Sequence, residues 1–161
     1  MLIRTATDAD WPAIWAVMEP TIREGETYAL DQTMTSEQAR VWWMAAGHEV
    51  AVAVADDEVL GTCFLRPNQP GPGGHIGNCG YMVAPSAFGR GVARALCQHT
   101  QDRGRERGFR ALQFNFVVST NVRAVATWEG MGFHIAGVMP GAFQRPNGDY
   151  VDACMMFKVL V

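Results

Sequence analysis

The stretch from Asn78 to Ala95 constrains this chain more than any other. Its first half, Asn78-Cys79-Gly80-Tyr81-Met82-Val83, reads as an apolar strand, and Pro85 stops it because proline cannot donate to a ladder. Its second half is a glycine-punctuated turn that opens into a helix, with Val92, Ala95, Leu96 and His99 at helical spacing. A turn of this kind aims several main-chain N–H groups at one spot, and Gly89 and Gly91 keep side chains out of the way. The positive end of the helix dipole adds to this, as do the charges of Arg90 and Arg94. The pattern suits a pyrophosphate. On spacing alone, an ordinary strand and helix joined by a glycine-eased turn fits equally well. The dinucleotide fingerprint is not met, since a third glycine position is missing, and no Gly-Lys-Ser/Thr follows to make a P-loop.

At 161 residues the chain has the length of one domain, residues 1–161, with enough material for a real core. A net charge of −3 gives no general attraction to nucleic acid, and no basic stripe is interleaved with aromatics. Arg103, Arg105 and Arg107 read as a solvated helix face. Cys63, Cys79, Cys97 and Cys154 lack metal or redox spacing, so no metal is expected and small buried residues are the natural role. Neither a signal peptide nor a spanning segment is visible, so a cytoplasmic setting without membrane contact is expected.

In chain order, Leu2 to Thr5 is a short strand, and Thr7-Asp8 starts a helix whose stripe is Trp11, Trp15 and Met18. Glu26 to Asp31 reads as an exposed loop. Thr35-Ser36-Glu37-Gln38 is a capping box for a second helix carrying Val41, Trp42 and Met44. Glu49 to Ala55 and Glu58 to Leu65 make a hairpin, and Pro67 to Gly74 a mobile loop. The strand His75 to Val83 and the central helix to about Gly108 follow. Ala111 to Val118 is then a strand parallel to its predecessor, because a helix connects them. Asn121 caps a further helix that ends at Gly130 or Gly132. Phe133 to Val138 and Tyr150 to Val159 are the last strands. The expected fold is α/β, with one mixed, mostly antiparallel sheet flanked by helices.

Val83-x-Pro85, the cradle Gly89-Arg90-Gly91-Val92-Ala93, and Asn121-x-x-Ala124 before Gly132-Phe133 together resemble the GNAT superfamily of acyl-CoA N-acyltransferases. The resemblance implies a splayed sheet and acetyl-CoA as cosubstrate. Main-chain groups of Tyr81, Met82 and Val83 would hold the pantetheine arm. The N–H groups of Gly89, Arg90, Gly91, Val92, Ala93 and Arg94 would hold the pyrophosphate, and Asn121 would reach the cofactor from the next helix. A homodimer is implied by the same analogy. A narrower likeness is to fungal N-acetyltransferases that detoxify proline analogues such as azetidine-2-carboxylate. It rests on His75-Ile76-x-Asn78-x-Gly80, on Phe114-Asn115 with Val117, on Trp128, and on Tyr150-Val151-Asp152-Ala153. A looser one, to phosphinothricin-type acetyltransferases, lies between Gly25 and Tyr28. Two positions depart from the family. Phe88 stands at the cradle's first position, commonly Gln or Arg, and Trp128 stands where a tyrosine often serves as general acid. An indole N–H donates a hydrogen bond but cannot release a proton to a thiolate near neutral pH.

Transfer to a small amine or amino acid by direct attack needs a neutral amine, a positioned thioester and donors for the oxyanion. Backbone N–H groups near Tyr81 to Val83 are the natural donors if the strand bulges there. Asn78 and Asn115 are the informative side chains, because asparagine is depleted in strand interiors. In the fungal likeness their equivalents grip the amino-acid substrate; a pair of buried amides bonded to the main chain is the alternative. Alternation puts Gln113, Asn115 and Val117 on one face of their strand. Water is the expected base. Tyr81 and His75 are weaker candidates for proton transfer, and Cys79 lacks a partner base for a nucleophile. Asp152 and Glu26 are candidates to line the acceptor pocket, and Trp128 to wall the thioester region. Acceptors other than proline analogues (phosphinothricin-like compounds, polyamines, peptide N-termini) remain open, as does an acyl-CoA-binding module without turnover.

Overall fold

A computed structural model describes residues 1–161. Seven strands form one sheet in the order β1-β2-β3-β4-β5-β7-β6. They are β1 (Leu2–Thr5), β2 (Glu49–Ala55), β3 (Glu58–Pro67), β4 (Ile76–Val83), β5 (Ala111–Val118), β6 (His134–Gln144) and β7 (Tyr150–Val159). Four helices flank them: α1 (Trp11–Glu24), α2 (Ser36–Trp43), α3 (Val92–Glu106) and α4 (Val122–Gly130). Every neighbouring pair is antiparallel except β4–β5, the pair joined through α3. The expected α/β fold is the observed one.

The β3 strand is buried without interruption from Leu60 to Leu65, which requires cover on both faces. Alternation shows how the cover is divided. Thr62 and Phe64 point to α2, where the Trp43 indole N–H donates to the Thr62 hydroxyl at 3.1 Å and its ring meets Phe64 edge-on. Gly61 points to α3, where a Cβ would come within 2.8 Å of Val92. The capping box that starts α2 is present as expected, but the buried residues of this helix are Ala39 and Trp43, and Val41 is exposed. The eight-residue helix faces inward one position away from the stripe the sequence suggested.

The sheet opens along the parallel seam. Only Ile76, Gly77 and Asn78 pair with β5, opposite Ala111, Leu112 and Gln113, and beyond them the two strands separate. The β4 pairing with β3 runs without a register shift from Gly77 to Val83, so the bulge that would make its N–H groups oxyanion donors is absent. The irregularity lies in β5, where Asn115 and Phe116 together oppose Met155 of β7. This extra residue breaks the expected alternation: Asn115 is exposed while Val117 is buried. The sheet's other end also departs from expectation, since β6 runs on through Pro140 and Gly141 to Gln144 as an edge strand, where proline is tolerated. All four cysteines are buried and unpaired, as their apolar surroundings implied. No helix is long and apolar enough to cross a membrane.

Candidate active site

Two cavities meet at the opening between β4 and β5. The first, of about 820 Å³, runs along β4 to the turn before α3. Of the residues expected to hold a cofactor, Tyr81, Met82, Val83, Gly89, Gly91, Val92, Ala93, Arg94 and Asn121 line it, and Arg90 does not. Gly89 and Gly91 have φ of 78° and 79°, where a side chain is strained, and a Cβ at either would meet no other atom. The requirement for glycine here comes from the backbone. Ala95 is the first helix residue whose N–H reaches a backbone carbonyl, that of Gly91. The N–H groups of Gly89, Gly91, Val92, Ala93 and Arg94 therefore have no main-chain acceptor, in a cavity lined by Arg94 and Arg123 with Glu24. Unmatched donors at the positive end of a 15-residue helix suit an anion.

Phe88, the departure at the cradle's first position, packs under the Arg123 guanidinium at 5.4 Å from its ring centre. A cation from α4 thus reaches the place where the family usually supplies a polar side chain. Asn121 caps α4 through its carbonyl oxygen, which accepts from the Ala124 N–H at 3.2 Å, and its amide NH₂ has no partner within the protein. It lines both cavities, as do Tyr28, Tyr81 and Trp128.

The second cavity, about 550 Å³, takes its walls from six separate segments, one of them the Asn121 and Trp128 wall that it shares with the first. The loop after α1 gives Tyr28 and Leu30, α2 gives Trp42, β3 gives Phe64 and Arg66, β4 gives Asn78, and β5 gives Asn115 and Phe116. The two candidate asparagines do share this space. Asn78 is buried at the last rung of the parallel pair, donating to the Gln113 carbonyl at 3.0 Å and accepting from Arg66 Nε at 3.3 Å. Asn115 is exposed on the β5 bulge, donating to Asn68 at 2.7 Å and accepting from Gln113 at 2.8 Å.

The other sequence candidates are committed to other contacts. The Tyr81 phenol turns into the core, bonding the Thr100 hydroxyl and the Cys79 sulfur, and burial raises its pKa well above the ordinary value. Burial likewise pushes the Cys79 thiol up, leaving no thiolate for nucleophilic attack. His75 is exposed beside the Pro72 carbonyl, Asp152 accepts from the Gly141 N–H, and Glu26 is paired with Arg145; none lines either cavity.

Three residues that sequence reasoning passed over complete the second cavity. Arg66 is its only ionised side chain, and it forms no ion pair. His48 stacks on Phe64 with 4.8 Å between ring centres, and its Nδ1 lies 2.9 Å from the Trp43 carbonyl. A carbonyl can only accept, so Nδ1 carries the proton and Nε2 keeps its lone pair. Burial, with the Arg66 charge nearby, holds the His48 pKa below that of a free histidine. Tyr28 sits in the loop expected to be exposed, yet its hydroxyl reaches the main chain of Tyr81. Only pairing across the sheet reveals these three, because no local spacing links them to β4.

A family model described as the acetyltransferase (GNAT) family matches residues 11–133, from α1 past the cradle and α4. The chain belongs to that family. This GNAT domain is 29% identical over 149 residues to the N-acetyltransferase aca1 of Schizosaccharomyces pombe, covering 82% of this chain and 71% of that one. A GCN5-related N-acetyltransferase from Kribbella flavida superposes with a TM-score of 0.93 at 46% identity, over 98% of this chain and 96% of the other. The phosphinothricin acetyltransferase Pat of Sinorhizobium meliloti, solved in complex with acetyl-CoA, shares the fold at a TM-score of 0.87 and 18% identity, over 98% and 87% of the two chains. Fold and family membership thus agree with the resemblance carried by the cradle.

Proposed function

We propose that this GNAT domain transfers the acetyl group of acetyl-CoA to the amine of a small amino or imino acid, a proline analogue being one such acceptor. The observation that carries the reading is the meeting of an anion-suited channel and an acceptor cavity at the β4–β5 opening. The diphosphate rests on the N–H groups of Gly89, Gly91, Val92, Ala93 and Arg94, and the pantetheine follows β4 inward to the opening. The relatives known to act as N-acetyltransferases support this use of the channel.

The acceptor's class follows from charge. The second cavity contains Arg66 and no carboxylate, between aromatic walls of Trp42, Phe64 and Phe116. Such a space favours a carboxylate-bearing molecule with a compact apolar body. It disfavours a polyamine, whose cationic groups would meet Arg66 without a counter-charge. Arg66 grips the carboxylate, and Asn78 and Asn115 orient the acceptor around it. The amine of a free amino or imino acid is more basic than a chain's α-amine and is protonated at neutral pH, so it must lose a proton before it attacks. Its lone pair attacks the thioester carbonyl, the C–N bond forms and the C–S bond breaks. The amine's proton passes to His48 Nε2, directly or through water, and from there to the departing thiolate. Thiol release from acetyl-CoA, measured over a panel of imino acids, amino acids and polyamines, tests this. Turnover confined to carboxylate-bearing acceptors supports the reading. Tight acetyl-CoA binding without thiol release across the panel would show a binding module, and turnover with polyamines alone would refute the acceptor class.

In keeping with the family analogy, we further propose a homodimer in the cytoplasm. A sedimentation measurement showing a monomer at working concentration refutes the dimer.

A further inference from the structure

The Tyr28 hydroxyl occupies the point where the two cavities join. It donates to the Tyr81 carbonyl at 2.7 Å and accepts from the Tyr81 N–H at 3.0 Å. The β4 pattern explains why both groups are within reach. The Ala84 N–H bonds β3, so alternation turns the main-chain groups of Tyr81 and Val83 toward the side that β5 has left. One phenol from a loop 53 residues away thus fills the place of a missing ladder partner. Space is kept for it: a Cβ at Gly80 would lie 3.3 Å from the Tyr28 oxygen and 2.6 Å from the Phe64 ring. The ring is braced edge-on against Trp42 at 6.4 Å. Trp128, which replaces the family's usual tyrosine, lies across the same junction with its ring 4.9 Å from that of Tyr81.

We propose that the Tyr28 hydroxyl is the hydrogen-bond donor to the acyl oxygen of the bound thioester, a role that rests on the acetyl-CoA reading above. When the thioester enters, the O–H turns from the Tyr81 carbonyl to the acyl oxygen, while the hydroxyl continues to accept from the Tyr81 N–H. That retained bond polarises the O–H and strengthens its donation. The Tyr81 carbonyl is then free to accept an N–H of the incoming amine and align it for attack. Tyr28 does not give up its proton. Burial holds its pKa far above that of a thiol, so transfer to the leaving thiolate is uphill and the phenol remains a neutral donor throughout. Its contribution is to stabilise charge on the oxygen of the tetrahedral species, the role that a β4 bulge was expected to fill.

Coenzyme A itself has no acyl oxygen, and this separates the role from general support of the loop. Calorimetric dissociation constants for acetyl-CoA and for CoA are measured with the wild-type protein and with Tyr28→Phe, which retains the ring and its packing. The expected result is affinities for both compounds within about threefold of the wild type, because the O–H leaves the Tyr81 carbonyl to reach the acyl oxygen and one neutral hydrogen bond replaces another. A fall in kcat of about 100-fold with a supporting acceptor accompanies it. An infrared spectrum of bound acetyl-CoA labelled with ¹³C at the carbonyl gives a second readout. The carbonyl stretch lies at lower frequency in the wild type than in the variant if the bond is made. An unchanged kcat, a parallel loss of affinity for both compounds, or an unshifted stretch overturns the role of Tyr28 alone. Failure of the wild-type protein to bind either compound overturns the acetyl-CoA reading and this inference together.

Discussion

The two cavities on either side of the β4–β5 opening are built by opposite means. The channel toward α3 uses main-chain groups from one contiguous run, Gly89 to Arg94, and needs little of its side chains beyond their absence at two glycines. The second cavity, the proposed acceptor space, uses side chains from six segments between Tyr28 and Trp128. A backbone site tolerates sequence change everywhere except where the dihedral angle is special. A side-chain site tolerates backbone drift but changes its chemistry with each substitution. The first suits a ligand shared by a whole family, and the second an acceptor that differs from member to member.

The contrast is broken most sharply at Gly91. Replacement by Val adds a β-branched side chain at φ 79° and projects it into open space where the diphosphate would rest. Affinity for CoA should fall by about 100-fold in a calorimetric titration while the melting temperature moves by a few degrees only; unchanged affinity would remove the cradle from the scheme. Next comes Arg66→Ala. Loss of one charge-assisted contact, about 1.5–3 kcal/mol, should raise KM for a carboxylate-bearing acceptor by about 10- to 100-fold and leave KM for acetyl-CoA unchanged. A parallel rise in both constants would mean that the two cavities are not independent. Asn115→Ala should raise the acceptor KM about 10-fold, and an unchanged KM would leave this amide the purely structural task of holding Asn68. The smallest effect is on stability. His48 and His99 have pKa values depressed below 6.5 by burial, so the unfolded chain binds more protons than the folded one in the window beneath that value. Stability should hold above about pH 6.5 and decline as the pH falls toward the depressed values, with a shallower decline in His48→Gln. A melting temperature flat between pH 5 and 7 would contradict the burial of both rings.

The same contrast explains what could be read in the sequence. The strand, the turn and α3 were visible as a unit because proline, glycine and helical spacing are local signals, and the fold followed from their order. Asn78 and Asn115 stood out because amides are uncommon inside strands, and the structure does bring them into one cavity. The position of Asn115 could not be derived by counting, because the β5 bulge resets the alternation between Phe114 and Val117. Arg66 and His48 carry no local signal at all, and Tyr28 only the loose likeness of the Gly25–Tyr28 stretch. Arg66 ends a strand, His48 sits in a turn and Tyr28 in a polar loop, and only the register of β3 against β4 and the return of the loop over Tyr81 bring them together.

The short parallel seam has a consequence of its own. Asn78 fastens β4 to β5 at the last rung, and past that rivet the zipper is left undone. Two further rungs would draw the strands to about 4.8 Å and leave a continuous, stiffer sheet with no place for a guest between them. Binding capacity in this molecule is therefore pairing forgone, and the gap opens just past the rung that a single amide fastens.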